Sequence, residues 1–491
     1  MNSSSNTNEI TPRSGNPRRR SLFRFAAVLI GLSPLFIAEA TLRVVGWQPA
    51  GEVDDPYIGF DEIHPLFVLN AEGDRYEIAQ NRLAYFQPDV FSKEKDANGY
   101  RIFVLGGSTV QGRPFSTETS FTTWLKLSLQ AADPNRKWEV VNCGGVSYAS
   151  YRLLPILQEV LNYQPDLIIL YTGHNEFLED RTFEHIKQTP QAVARIHGMM
   201  SSSRAYSLCR GLLSPASAHE ERLPSEVQAI LDYEGGLAKY HRNNQWRNFV
   251  IADFRSNLQQ MLRMADDAKV PVLLANSVCN LHDCRPFKVE ANPELSEKQK
   301  QQFGEHWQNG YSFIESDPKR AIIALSEAIV FDDTNAGAWW DLGRCYDELC
   351  DFDNARIAYL RAKDNDVCPL RILEPMRDII FEVAHHGGIT VVDVQHKFED
   401  KSQHRVVGQR WMIDHVHPTV DGHKMIARLF FEELERREVV QRKRDWEFKQ
   451  QKLYEDHFKS LNYAYFARGR QRLEGLRLWT QGKSGNSPSP N

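Results

Sequence analysis

The sequence predicts an α/β protein in which a parallel sheet is covered by helices on both faces and interrupted by an all-α insertion. Three observations predict it. Five short apolar runs each end at turn-forming or small polar residues. Amphipathic helical stretches lie between them. From about residue 302 to 369 this alternation stops and the chain repeats on itself. Strand–helix alternation buries both faces of a parallel sheet, whereas a repeated helical unit must bury its apolar face against its neighbours.

The five runs are Arg101 to Leu105, Glu139 to Asn142, Asp166 to Tyr171, Val270 to Ala275 and Thr390 to Asp393. Length and β-branched content make each a buried strand. The first four end at Gly106-Gly107, Cys143-Gly144-Gly145, Thr172-Gly173 and Asn276-Ser277. Ligands of such folds bind beyond the carboxyl ends of the strands, where these turns sit. Leu153, Ile156, Leu157, Val160 and Leu161 share one helical face, as do Val250, Phe254, Leu258, Met261 and Ala265.

In the region 302–369, Trp339, Leu342, Gly343, Tyr346, Ala355, Tyr359 and Ala362 fall at positions 4, 7, 8, 11, 20, 24 and 27 of a tetratricopeptide repeat. Thirty-four residues earlier, Ala321, Leu325 and Ala328 occupy positions 20, 24 and 27 again. The first repeat lacks the Trp and Gly of its leading helix and reads as a degenerate cap. Two helical hairpins are expected, either as bare packing or as a surface for a protein partner or substrate.

The 491 residues suggest several domains, and the composition, 42% apolar and 25% charged, is that of globular protein. With 59 basic against 64 acidic residues the net charge is −5, so no basic field points to nucleic acid. The seven cysteines form no C-x-x-C pair, which removes zinc-ribbon and thioredoxin-type motifs, and disulfides are not expected.

Residues 1–20 read as a disordered basic N-terminus ending in Arg18-Arg19-Arg20. Residues 21–47 read as a hydrophobic segment whose stretch Phe25 to Ala38 has no charge. It fits an uncleaved single-pass membrane anchor, a signal peptide cleaved near Ala38-Glu39-Ala40, or a surface helix. The Arg cluster would stay in the cytoplasm, so everything after residue 47 is expected outside it, periplasmic and tethered, or secreted if cleaved. The remaining boundaries are 95–295 for the first part of the α/β domain, with an irregular insertion at 181–245, then the repeats at 302–369. The second part follows at 370–435 and a charged helical tail at 436–491. The tail, with Val439, Val440, Trp446, Phe448 and Leu453 embedded among charges, is expected as a solvated arm ending in disorder.

Three strand ends carry unusual residues. Gly106-Gly107-Ser108-Thr-Val-Gln-Gly112 puts a serine at the tip of a sharp turn, as a helix cap or as a nucleophile. No Lys follows Gly112, so it is not a phosphate loop. Gly173-His174-Asn175-Glu176 is a polar cluster after an apolar strand, and Asn175 either closes a turn or aims its amide at an oxyanion. Asp414-His415-Val-His417, with Asp421 and His423 behind, offers either a metal set from Asp414, His415, His417 and His423 or an Asp that orients a His base.

The order of Ser near the first strand, Asn after the third and Asp-x-x-His near the end resembles the SGNH (GDSL-type) hydrolase superfamily. The resemblance spans roughly residues 100–180 and 246–435 and looks closest to exported bacterial members with a tetratricopeptide insert. It implies a flavodoxin-like sheet and a serine esterase whose catalytic residues are Ser108, Asp414 and His417. The oxyanion hole would be the backbone N–H groups of Ser108 and Ser147 with the side-chain amide of Asn175. Ser147 stands where the family has a glycine, and Gly144 or Gly145 become the donors under a shifted alignment. Gly107 and Glu176 each replace a family aspartate. His174 reads as a turn or wall residue, and His423 as the start of the last helix of the domain. No cofactor and no metal is implied. The implied substrate is an acyl ester, of a carbohydrate or a small alcohol, and the family includes polysaccharide O-acetyltransferases. A non-catalytic glycan- or partner-binding scaffold is the alternative of a different class.

Overall fold

The computed structural model describes residues 33–34, 36–45, 65–182 and 240–480. Most of the expected N-terminal segment, most of the insertion at 181–245 and the last residues of the tail lie outside the described residues. Residues 36–44 form a helical stretch with an Arg43–Glu39 ion pair at 2.8 Å and exposed Phe36, Ile37 and Val44. Among the described residues no helix is long and apolar enough to cross a membrane.

From residue 65 onward the strands are β1 (Phe67–Leu69), β2 (Arg75–Ile78), β3 (Val90–Ser92), β4 (Gly99–Gly106), β5 (Lys137–Gly144), β6 (Leu167–Tyr171), β7 (Val272–Asn276) and β8 (Thr390–Asp393). The central sheet is wholly parallel in the order β5-β4-β6-β7-β8. Numbered within the sheet this is 2-1-3-4-5, the flavodoxin-like order, whose switch point lies at the carboxyl ends of β4 and β6. All five predicted strands are present.

Alternation along each strand feeds two cores. Phe103, Leu105, Val141, Ile168, Leu170 and Leu274 face α3 (Ser150–Val160), α5 (Asn244–Asp267) and α10 (Glu374–Gly387). Ile102, Val104, Val140, Ile169, Tyr171 and Leu273 face α2 (Phe121–Ala132), α11 (Val394–Lys401) and α12 (Val420–Arg436). The two predicted helical faces lie in the first of these cores. Two further helices bear on the site: α1, a single turn at Ser108–Gln111, and α4 (Glu176–Thr182).

Between β7 and α10 stand four helices, α6 (Glu297–Phe313), α7 (Pro318–Phe331), α8 (Ala336–Glu348) and α9 (Phe352–Asp364), each packed on the next. Ala321, Leu325, Ala328, Ala355, Tyr359 and Ala362 are buried, and Gly343 lies where a Cβ would press on the Tyr359 ring at 2.6 Å. Small residues at these positions let consecutive helices approach closely.

Two features depart from expectation. An antiparallel sheet of β1, β2 and β3, not predicted, caps the first core through Phe67, Ile78 and Phe91. The tail is not a solvated arm. Helix α13 (Trp446–Ser460) buries Trp446 on Phe431 with ring centroids 4.8 Å apart, and Tyr454 packs on Trp124 at 4.7 Å. Apolar anchors spaced along a charged helix suffice to dock it, because the charged residues occupy its other faces. Tyr465 of α14 (Tyr463–Thr480) reaches Thr119 with its hydroxyl at 2.8 Å. All six cysteines among the described residues are free thiols.

Candidate functional site

Strand β4 must turn directly into α1, and the turn is close-packed. A Cβ at Gly106 would strike the Tyr171 backbone of β6, while Gly107 precedes α1 in extended conformation. Gly112 closes the turn with φ 97°, a left-handed conformation that glycine adopts without strain. Ser108 is thereby held at the sheet's switch point, 6% exposed. Asn142 of β5 braces this turn, its side-chain amide donating to Val110 O at 2.7 Å.

The loop from Gly408 to Thr419 brings the base. Ile413 N donates to His417 O at 2.8 Å and Thr419 N to Trp411 O at 2.8 Å, so the segment is a tight hairpin. His417 Nε2 accepts from Ser108 Oγ at 2.7 Å, and His417 Nδ1 donates to Asp414 Oδ2 at 2.7 Å. The other Asp414 oxygen accepts backbone N–H bonds from Val416 at 2.9 Å and His417 at 2.8 Å. Burial opposes the charge on Asp414, but the facing His417 and these hydrogen bonds outweigh it and hold the carboxyl down to about 2. Thr109 Oγ1 donates to Val416 O at 3.1 Å, fastening the serine turn to the histidine loop.

Asn175 follows β6 with φ 65°, a left-handed conformation that asparagine tolerates better than most residues. Its amide Nδ2 lies 3.8 Å from where a Cβ on Gly107 would stand, so it faces the serine turn. Ser147, after β5, is also left-handed at φ 61°. A small cavity of about 10 Å³ is lined by Gly107, Ser108, Thr109, Tyr148, Tyr171, Thr172, His174 and Asn175. Tyr148, rather than Ser147, is the residue of that turn that reaches it. Gly145 supports the turn, donating to Gly106 O at 3.0 Å and accepting from Tyr148 N at 3.2 Å.

The other histidines point elsewhere. His174 Nε2 donates to Val278 O at 3.1 Å, while its Nδ1 accepts from Ile372 N at 3.2 Å. Burial, reinforced by Arg377, pushes it down to about 3, so it is a neutral staple between two loops. His415 Nε2 faces Arg285 O at 3.1 Å and His423 Nδ1 accepts from Phe121 N at 3.2 Å. Burial lowers these to about 4 and about 3. His415 and His423 therefore point away from the Asp414–His417 pair. Among the described residues no three such side chains group as metal ligands.

Sequence reasoning missed two carboxylates that clamp the two left-handed turns together. Glu176 accepts from Ser150 N at 2.9 Å and Ser150 Oγ at 2.8 Å. Glu179 accepts from Ala149 N at 2.7 Å and pairs with fully buried Arg152, whose guanidinium stacks 3.7 Å from the Tyr148 ring. Residues 147–152 and 175–179 are thus tied by the hydrogen bonds of Glu176 and by the charge-assisted bonds of Glu179. The available signal was acidic residues three apart directly after Asn175, on a helix otherwise buried.

The chain is similar to several solved structures. A lipase/acylhydrolase from Enterococcus faecalis matches at 12% identity, covering 70% of this chain and 99% of its own, with a TM-score of 0.33. An acetyl xylan esterase variant from Geobacillus stearothermophilus matches at 14% identity, covering 70% and 96%, with a TM-score of 0.32. An α/β hydrolase enzyme from the metagenome of Lake Arreo, Spain, matches at 15% identity, covering 69% and 96%, with a TM-score of 0.32. No protein-family model and no curated protein matches the sequence.

Proposed function

We propose that the protein is a serine ester hydrolase of the SGNH type, acting on short acyl esters of a carbohydrate. One observation carries the reading: the unbroken chain Ser108 Oγ, His417 Nε2, His417 Nδ1, Asp414 Oδ2, with both links at 2.7 Å. Reactive geometry of this kind defines a nucleophile, its base and the group that orients the base.

His417 takes the Ser108 proton as Oγ attacks the ester carbonyl, and Asp414 stabilises the imidazolium that forms. The Asn175 amide and the backbone N–H of Ser108, with a donor from the Ser147 turn, receive the oxyanion. His417 then returns the proton to the leaving alcohol, leaving Ser108 acylated. Water, deprotonated by the same histidine, releases the acid. A cavity of about 10 Å³ holds little more than one water, which favours acetyl over long acyl groups. Export and tethering belong to the same proposal and rest on Arg18 to Arg20, Arg24 and the uncharged run Phe25 to Ala38.

The test is hydrolysis of p-nitrophenyl acetate, butyrate and octanoate by the full chain with Ser108→Ala in parallel. Turnover that falls with chain length, vanishes in the variant and survives a chelator supports the proposal. Turnover unaffected by Ser108→Ala refutes it.

A further inference from the structure

The cavity at Ser108 is only about 10 Å³, so the body of a larger substrate must be held elsewhere. A cleft of about 750 Å³, in the range that holds drug-sized ligands, opens between the helical insertion and the loop that carries Asp414 and His417. Helices α8 and α9 contribute Trp340, Arg344, Asp347 and Tyr359, and the opposite wall is Gly408 to Trp411. We propose that this cleft binds the neutral sugar chain of an acylated glycan while the acyl group is presented to Ser108. The inference rests on the ester-hydrolase reading and deepens it by naming a second site for the same substrate.

Its chemistry is that of sugar recognition. Half-buried Trp411 and Phe352, backed by buried Trp340 and Tyr359, supply apolar ring surface for the C–H faces of sugars, and fixed polar groups between them can meet hydroxyls. Those groups are pre-organised. His282 is bridged by Asp283 at 2.8 Å and Asp347 at 2.9 Å, and Tyr359 OH donates to Asp347 at 2.6 Å. The two carboxylates, against partial burial, push His282 up to about 10, so it is charged at neutral pH. Arg344, Arg410 and this imidazolium then balance Asp283, Asp347 and Glu348. A charge-balanced cleft selects neither a polyanion nor a polycation.

The wall of the cleft is also tied to the loop that holds Asp414 and His417. Leu281 N and His282 N both donate to Val407 O, at 2.9 and 3.1 Å, and Asn280 N donates to His415 O at 3.0 Å. The same wall continues through Trp411 into the hairpin that holds Asp414 and His417. His404 and Cys350, which line the cleft, are left-handed, with φ of 54° and 59°. Strained backbone outside glycine collects where a surface is shaped for a ligand.

The experiment titrates the full chain carrying Ser108→Ala with neutral xylo-, cello-, manno- and chito-hexaose by calorimetry. At least one hexaose should bind, and adding Arg344→Ala or Gln409→Ala should weaken it about 10-fold or more by removing one hydrogen-bonding group. In the Ser108 background the same two variants should leave p-nitrophenyl acetate turnover unchanged. No binding of any hexaose, or binding indifferent to both variants, overturns the proposal even if the esterase activity stands. Capture of a peptide in place of the sugars, lost in the same variants, overturns it too and assigns the cleft to a peptide. Ester turnover independent of Ser108 sinks the hydrolase reading instead and is read separately from the binding data.

Discussion

Glu176→Gln tests how the oxyanion side of the site is built. Glu176 is fully buried beside Glu179 and Asp253. Burial pushes its carboxyl from 4.5 up to about 8, although the two Ser150 hydrogen bonds pull the other way. A carboxyl whose folded value is raised weakens the fold as pH rises, because the unfolded chain releases its proton near 4.5 and the folded chain keeps it until about 8. Each pH unit across that window is worth about 1.4 kcal/mol, so the penalty approaches about 5 kcal/mol at pH 8 and above. Glutamine keeps the shape, still accepts from Ser150 N and can donate to the Ser150 hydroxyl, yet has no charge to bury. The variant should therefore match wild type near pH 5 and exceed it at pH 8.5 by about 5 °C in Tm, given the entropy of unfolding of a chain this long. Its esterase activity should persist, since Asn175 stays clamped. Differential scanning calorimetry across pH 5–9 is the assay. Parallel Tm curves for the two proteins, or a variant that is less stable at high pH, would refute the reasoning.

Other outcomes follow from the same geometry. Asn175→Ala removes one oxyanion donor, so kcat should fall about 10²–10³-fold with KM little changed, as steady-state kinetics on p-nitrophenyl acetate would show. Gly107→Ala places a methyl 3.2 Å from Tyr148 O and 3.8 Å from the Asn175 amide, so a few tenths of an ångström must be yielded in the site. We expect about a 10-fold loss of kcat with an unchanged melting temperature. His174, His415 and His423 are held neutral down to about 3, about 4 and about 3, whereas an unfolded chain protonates them from 6.5 downward. Their folded values are depressed, so stability should drop as pH falls through 6.5 towards 4, with proton uptake on unfolding in that window. Replacing His174 by Gln should make the drop shallower in pH-jump or calorimetric unfolding.

Sequence made the central sheet legible because its strands are buried on both faces and read as unbroken apolar runs, and Thr390 to Asp393 was bounded to the residue. Ser108, Asn175, Asp414 and His417 were legible because turn glycines and polar clusters stand out after such runs. The β1–β3 sheet was not, since strands of three or four residues carry one or two core contacts each, such as Phe67 and Ile78. The docking of α13 was hidden by its charge, because Trp446 and Tyr454 hold it at few points. The clamp by Glu176 and Glu179 depends on partners at 149–152 that no local pattern announces. Which donor completes the oxyanion hole turns on backbone dihedrals at Ser147, which spacing alone does not specify.

The central claim, that Ser108 is a nucleophile armed by His417, is tested most directly by covalent labelling. The full chain is treated with a fluorophosphonate ester and digested, and the adduct is located by mass spectrometry. The account predicts a single phosphonyl adduct on Ser108 that is lost with His417→Ala. Labelling at another residue, or an equal rate of Ser108 labelling without His417, would contradict it.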